Sequence, residues 1–131
     1  MPPVTLTPIA TGFNNPIGID YHEPTDQVIL SVNWPTGQPN NFELVERDGT
    51  HQQFTTISGF TDEVKIATVR SGPHQGGFTV GEVFTGNGQP GQIVRISPTG
   101  ALCRTPGSPS TTPGCSGEAS SKTATACSAA T

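Results

Sequence analysis

The sequence predicts an all-β chain made of two consecutive four-stranded antiparallel meanders. Three observations carry this. Phe13, Ile17 and Ile19 recur as Phe60, Val64 and Ile66, and Phe42-Glu43-Leu44-Val45 before Asp48-Gly49 recurs as Gln92-Ile93-Val94-Arg95 before Thr99-Gly100. The period of about 47 to 51 residues belongs to units that cannot bury a hydrophobic face alone and therefore stack on neighbours. Apolar residues tend to fall at every second position, and helical periodicity is absent. With 16 Gly, 13 Pro and only 12% charged residues, the chain is punctuated for short strands and turns rather than long helices.

The elements follow in order. Val4 to Ile9 alternates as a strand does, and Pro16 then opens Ile17-Gly18-Ile19-Asp20-Tyr21. His22-Glu23-Pro24-Thr25-Asp26 is a turn, because Pro and Asp both favour that geometry. Gln27 to Val32 is a strand, residues 33–41 form a long polar loop, and Phe42 to Glu46 is the next strand. Asp48-Gly49 makes a hairpin turn into a fourth strand, His51 to Ile57. In the second unit, Val64 to Val69 is a strand, Arg70 to Gly76 a turn, and Gly77 to Phe84 a strand in which Phe78-Thr79-Val80 answers Val28-Ile29-Leu30. A Gly-rich loop, Thr85 to Gly91, leads to the strand Gln92 to Ser97 and the turn Pro98-Thr99-Gly100. No fourth strand follows.

Asn15-Pro16-Ile17-Gly18-Ile19-Asp20, a hairpin, and a strand ending Val45-Glu46-Arg47-Asp48-Gly49 resemble blades of the NHL and gluconolactonase-like β-propellers, over roughly residues 10–100. The resemblance implies a partial propeller over residues 1–100, with blade one at about 13–57 and an incomplete blade two at about 60–97. Such rings hold about six blades, and the first strand commonly completes the last blade. On that basis Val4 to Ile9 is the outer strand of a blade that this sequence does not contain.

Composition changes abruptly at Ala101. Residues 101–131 are almost wholly Ser, Thr, Pro, Gly, Ala and Cys, with Leu102 the one large apolar residue. Two readings stay open: a disordered low-complexity extension, or an out-of-frame translation of propeller sequence. Read from the third base of the Arg104 codon, GC-rich codons spell a segment containing Trp-Val-Thr-Leu, which would supply the missing strand. Cys103, Cys115 and Cys127 have no histidine nearby and are odd in number, so they read as incidental thiols.

The formal charge of −4 and six scattered basic residues give no patch for nucleic-acid phosphates. No run of 18 apolar residues predicts a membrane-spanning helix. Met1-Pro2-Pro3-Val4-Thr5-Leu6 has neither the basic nor the apolar region of a signal peptide, so a secreted or periplasmic location would require a leader outside this stretch. His22, His51 and His74 each lie in or beside a different turn and read as solvent-exposed. The Gly-rich segment Thr85 to Gly91 joins two strands, and so offers no helix N-terminus to a phosphate.

Two candidate sites remain. The loops entering the inner strands, Asn14-Asn15 and Asp62-Glu63, would ring the mouth of a closed propeller. Asn15, Asp62 and Glu63 are the candidate metal ligands, since converging oxygens suit calcium. The resemblance implies such ligands activating a water or polarising a lactone carbonyl. Trp34 with Asn40 and Asn41 is the candidate ligand-binding group, an aromatic beside amides that suits a carbohydrate or protein partner. The alternative for Trp34 is that it folds back over a sheet edge.

The expected function is a non-catalytic binding or structural module, a fragment of a larger propeller. The alternative is an incomplete piece of a metal-dependent lactone or ester hydrolase. Two blades leave both flanking faces uncovered, which predicts marginal folding and self-association through those faces and edges.

Overall fold

Short alternating segments separated by Gly, Pro and Asp turns fold as the pattern dictates. A computed structural model describes residues 3–33, 41–60, 64–73, 75–88 and 91–103. The first sheet is a meander of β1 (Ile19–His22), β2 (Gln27–Ser31), β3 (Phe42–Val45) and β4 (His51–Thr55), in sequence order and antiparallel throughout. The second has the same order: β5 (Ile66–Thr68), β6 (Val83–Asn87), β7 (Gln92–Ile96) and β8 (Leu102–Cys103). A single 3-10 turn, Glu23–Thr25, joins β1 to β2, closed by Asp26 in a left-handed conformation (φ 55°). The fold class is all-β, and no α-helix occurs among the described residues.

The sheets pack face to face. Ile29, Phe42 and Leu44 of the first meet Val83 and Ile96 of the second, with Phe60 and Val64 of the connection between them. All seven are at most 5% exposed. Burying a side chain of this size stabilises by about 1.5–3 kcal/mol, so this layer is the main source of cohesion. Phe42 and Phe60 meet edge to face at 6.3 Å.

A close approach of the two sheets lies at Gly18. A Cβ there would stand 2.6 Å from Ile66 Cγ1, 2.7 Å from the Val64 carbonyl oxygen and 2.9 Å from Ser31 Oγ. Only glycine lets β5 come this near. Ser31 then joins the sheets: its buried hydroxyl accepts from Gly18 N (2.7 Å) and donates to the Val64 carbonyl (2.6 Å).

Several expectations are corrected. Val4 to Ile9 is not a strand here, because no described strand runs beside it; Val4, Leu6 and Ile9 are 86%, 89% and 67% exposed. The expected strand Gly77 to Phe84 is displaced to Val83–Asn87. Gly76, Gly77 and Gly81 take left-handed backbone angles, and tight turns close from Phe78 N to Gln75 O and from Glu82 N to Thr79 O. Val83 and its neighbours, not Phe78-Thr79-Val80, therefore correspond to Val28-Ile29-Leu30. Thr85 to Asn87, expected as loop, belong to β6. A fourth strand does exist in the second sheet, as the two-residue β8 paired to Arg95 and Ile96. Cys103 lies in it, 9% exposed and disulfide-bonded, its partner outside the described residues. It is not an incidental thiol. The readings made for the rest of the 101–131 tail fall on residues 104–131, outside those described.

Candidate functional site

Alternation gives each sheet two faces, and stacking makes them unlike. On the first sheet, Asp20, His22, Ile29, Phe42 and Leu44 face the second sheet. Ile19, Tyr21, Val28, Leu30 and Val45 face the other way. That outward face is mainly apolar, with Glu43 beside Leu30, and holds a groove of about 690 Å³, lined by Ile9, Phe13, Ile19, Val28, Leu30 and Val45 among others. Ala10 and Phe13 pack on it with Leu30, Val32 and Val45, and the Phe13 ring meets the His51 ring at a tilt, 4.8 Å between centres. Ile19 remains 69% exposed and Tyr21 36%. The rim is polar: Tyr21 donates to Asp26 Oδ1 (2.7 Å), and Arg47 reaches both Asp26 oxygens at 3.2 Å. That ion pair is largely exposed and contributes little to stability. An apolar concavity with a charged rim is the usual form of a surface that another body covers.

The inward face carries a polar seam across the two sheets. Asp20 Oδ2 accepts from Thr68 N (2.7 Å) and Thr68 Oγ1 (2.9 Å), while Oδ1 pairs with Arg70. The guanidinium of Arg70 also lies over the Tyr21 ring at 5.9 Å. Partial burial raises the Asp20 pKa, but hydrogen bonds from Thr68, Tyr21 N and Arg70 outweigh it and hold the carboxyl below its usual range. Glu23 accepts from Ser71 N at 2.9 Å.

His22 was expected at the surface; it is fully buried between the sheets. Its Nε2 lies 3.1 Å from the Gly81 carbonyl and its Nδ1 2.8 Å from Thr25 Oγ1. A carbonyl can only accept, so Nε2 carries the proton of the neutral ring. Burial pushes the imidazole pKa down, against the opposing pull of the Gly81 and Pro98 carbonyls. His51 is exposed as expected, 3.2 Å from Glu43. His74 lies outside the described residues.

Of the six residues singled out in the sequence, two are described. Asn15 is exposed, in a left-handed conformation (φ 46°) just before Pro16. Asn41 is 4% exposed, and its amide is committed to the backbone of Ile57: Nδ2 donates to the carbonyl (2.6 Å) and Oδ1 accepts from the N–H (2.9 Å). It staples the end of β4 to the start of β3. Asp62, Glu63, Trp34 and Asn40 lie outside the described residues. Among the described residues no cluster of three His, Cys, Asp or Glu side chains is placed to hold a metal, and no helix is long and apolar enough to cross a membrane.

Uncovered flanking faces were expected from the repeat, but not the lining of the outward groove, which comes from three strands and the segment before β1. No family model, curated protein or solved structure matches the chain.

Proposed function

We propose that this chain is a non-catalytic structural and binding module: two consecutive blades of a β-propeller of the NHL and gluconolactonase-like kind, working by seating further blades against its outward faces. The supporting observation is that the two sheets are stacked as successive copies of one unit, not as mirror-related halves. Ile19 pairs with Leu30 in the first sheet as Ile66 pairs with Thr85 in the second. Yet Ile19 faces away from the neighbouring sheet while Ile66 faces into it. Each unit thus presents a leading face and a trailing face, and a succession of such units is what builds a propeller.

The competing reading is an incomplete metal-dependent lactone or ester hydrolase with Glu63, Asp62 and Asn15 as ligands. Calcium titration by calorimetry separates the two. The module reading expects no saturable calcium binding and no lactone hydrolysis. A tight calcium site abolished by Glu63→Ala would overturn it in favour of the hydrolase.

A further inference from the structure

We infer that the outward face of the first sheet docks the outward face of the second sheet of another copy of this chain, so that copies add head to tail. This rests on reading the two sheets as repeats of one stacking unit, and extends it by naming the partner.

The template is inside the chain. Strand register aligns Val28 and Val45 of the first sheet with Val83 and Ile96 of the second. Val83 and Ile96 are completely buried against the first sheet, whereas Val28 and Val45 line the groove, Val28 partly exposed and Val45 5% exposed beneath Phe13 rather than beneath another sheet. At the other end, the same register aligns Ile29, Phe42 and Leu44 with Phe84, Ile93 and Arg95. Phe42 is fully buried in the contact between the sheets; its counterpart Ile93 is 81% exposed. One chain therefore contains one complete sheet-on-sheet contact and leaves half of another at each end. The two halves are the complementary ones.

The segment before β1 supports the same succession. The carbonyl of Ile9 lies over Gly49 so closely that a Cβ would overlap it; the carbonyl of Phe54 lies over Gly100, 2.6 Å from where a Cβ would be. Gly49 and Gly100 are the matching turn glycines, at φ 89° and 87°. Phe13 and Phe60 are likewise matched, each following a glycine at φ 90°. Phe60 sits in the core between two sheets, and Phe13 covers Leu30 and Val45 with nothing described beyond it. Thr7 to Phe13 approaches the first sheet as the end of β4 approaches the second, and so marks where a preceding sheet belongs.

The junction between copies would not match the internal one in every contact. Ala67 stands where Asp20 stands, and Tyr21 where Thr68 stands, so the Asp20–Thr68 bonds have no equivalent. Glu43 stands where Val94 stands and Arg95 where Leu44 stands, so the contact joins apolar residues with one charged group on each face, and the association is concentration-dependent. Because the two faces differ, it is heterologous: copies close into a ring if the rotation per copy permits, and otherwise extend.

Ile19 and Ile93 are both well exposed, so Ile19→Asp and Ile93→Asp each block one face with little effect on folding. The full-length variants are compared by sedimentation velocity, with circular dichroism and urea midpoints confirming that each folds. The unmodified chain should associate as concentration rises. Each variant alone should run at the 13.6 kDa chain mass. Their equimolar mixture should form a species of twice that mass and no larger, since each variant contributes one intact face. A monomeric unmodified chain would overturn the inference and assign the groove to a different protein. Self-association of Ile93→Asp alone would overturn it too, by showing that the first sheet's face pairs with itself. Neither result bears on calcium binding, which tests the module reading separately.

Discussion

Replacing Gly18 with Ala adds one methyl group at a point where the two sheets come into close contact. Its backbone is not in the left-handed region, so the effect is steric and not conformational. All three nearest atoms lie under 3.0 Å from the new Cβ, and one is the Val64 carbonyl oxygen, which cannot swing aside as a side chain can. Either β5 retreats, thinning the contact of Ile29, Phe42 and Leu44 with Val83 and Ile96, or Ser31 is displaced from Gly18 N and the Val64 carbonyl. Overpacking of this kind costs about 1–3 kcal/mol. On the other route, a buried hydrogen-bond partner left unmade costs about 1–3 kcal/mol. A loss of about 1–3 kcal/mol is therefore expected, a sizeable part of the roughly 5–15 kcal/mol typical of a small domain. Urea unfolding of the full chain measures it. Gly86→Ala is the control: it lies in β6, has no left-handed angle, and its Cβ would meet nothing nearer than 4.0 Å. It should be neutral or slightly stabilising, since glycine weakens a strand interior. A Gly18→Ala loss below about 0.5 kcal/mol, the range of ordinary surface changes, would refute the close stacking described here.

Two further predictions concern polar groups at the fold's joints. Asn41→Ala removes the partners of both Ile57 backbone groups and should lower stability by about 1–3 kcal/mol; an unchanged urea midpoint would show that its amide is free for a ligand instead. Stability should also decline as pH falls below the ordinary imidazole value of 6.5, because burial lowers the His22 pKa in the folded state. Below 6.5 the unfolded chain binds the proton first, so stability is full above that value and is lost progressively toward the depressed folded pKa. His22→Gln should flatten the decline, and a slope unchanged by the substitution would count against the buried neutral ring. A second decline should begin below about 3.8, the ordinary value for Asp20, whose folded pKa is lowered.

Strands β2, β3 and β4 and the Asp48-Gly49 hairpin were legible in the sequence, because alternation and turn chemistry are local signals. The displacement of β6 was not. Phe78-Thr79-Val80 has strand-like composition, but Gly76, Gly77 and Gly81 hold the segment in turns, and Val83 supplies the pairing. The inward polar seam was hidden for a different reason. Asp20 and His22 alternate with Ile19 and Tyr21, and in a lone sheet the polar set would face water. In the stack it is the face of Asp20 and His22 that meets the second sheet, so His22 is enclosed and Asp20 finds Thr68 and Arg70 some fifty residues away. Local pattern cannot reveal which parity meets the neighbour. Nor could it show that Asn41 staples Ile57 from its place in a polar loop. The repeat was the one long-range signal in the sequence, and it pointed correctly to two successive sheets.

The central claim is that the outward face of the first sheet seats the second sheet of another copy of this chain. Sedimentation velocity of the unmodified chain over a wide concentration range tests it most directly. The account predicts a mass that rises above 13.6 kDa with concentration, in whole multiples of the chain. A folded species that stays at 13.6 kDa at every concentration would contradict it.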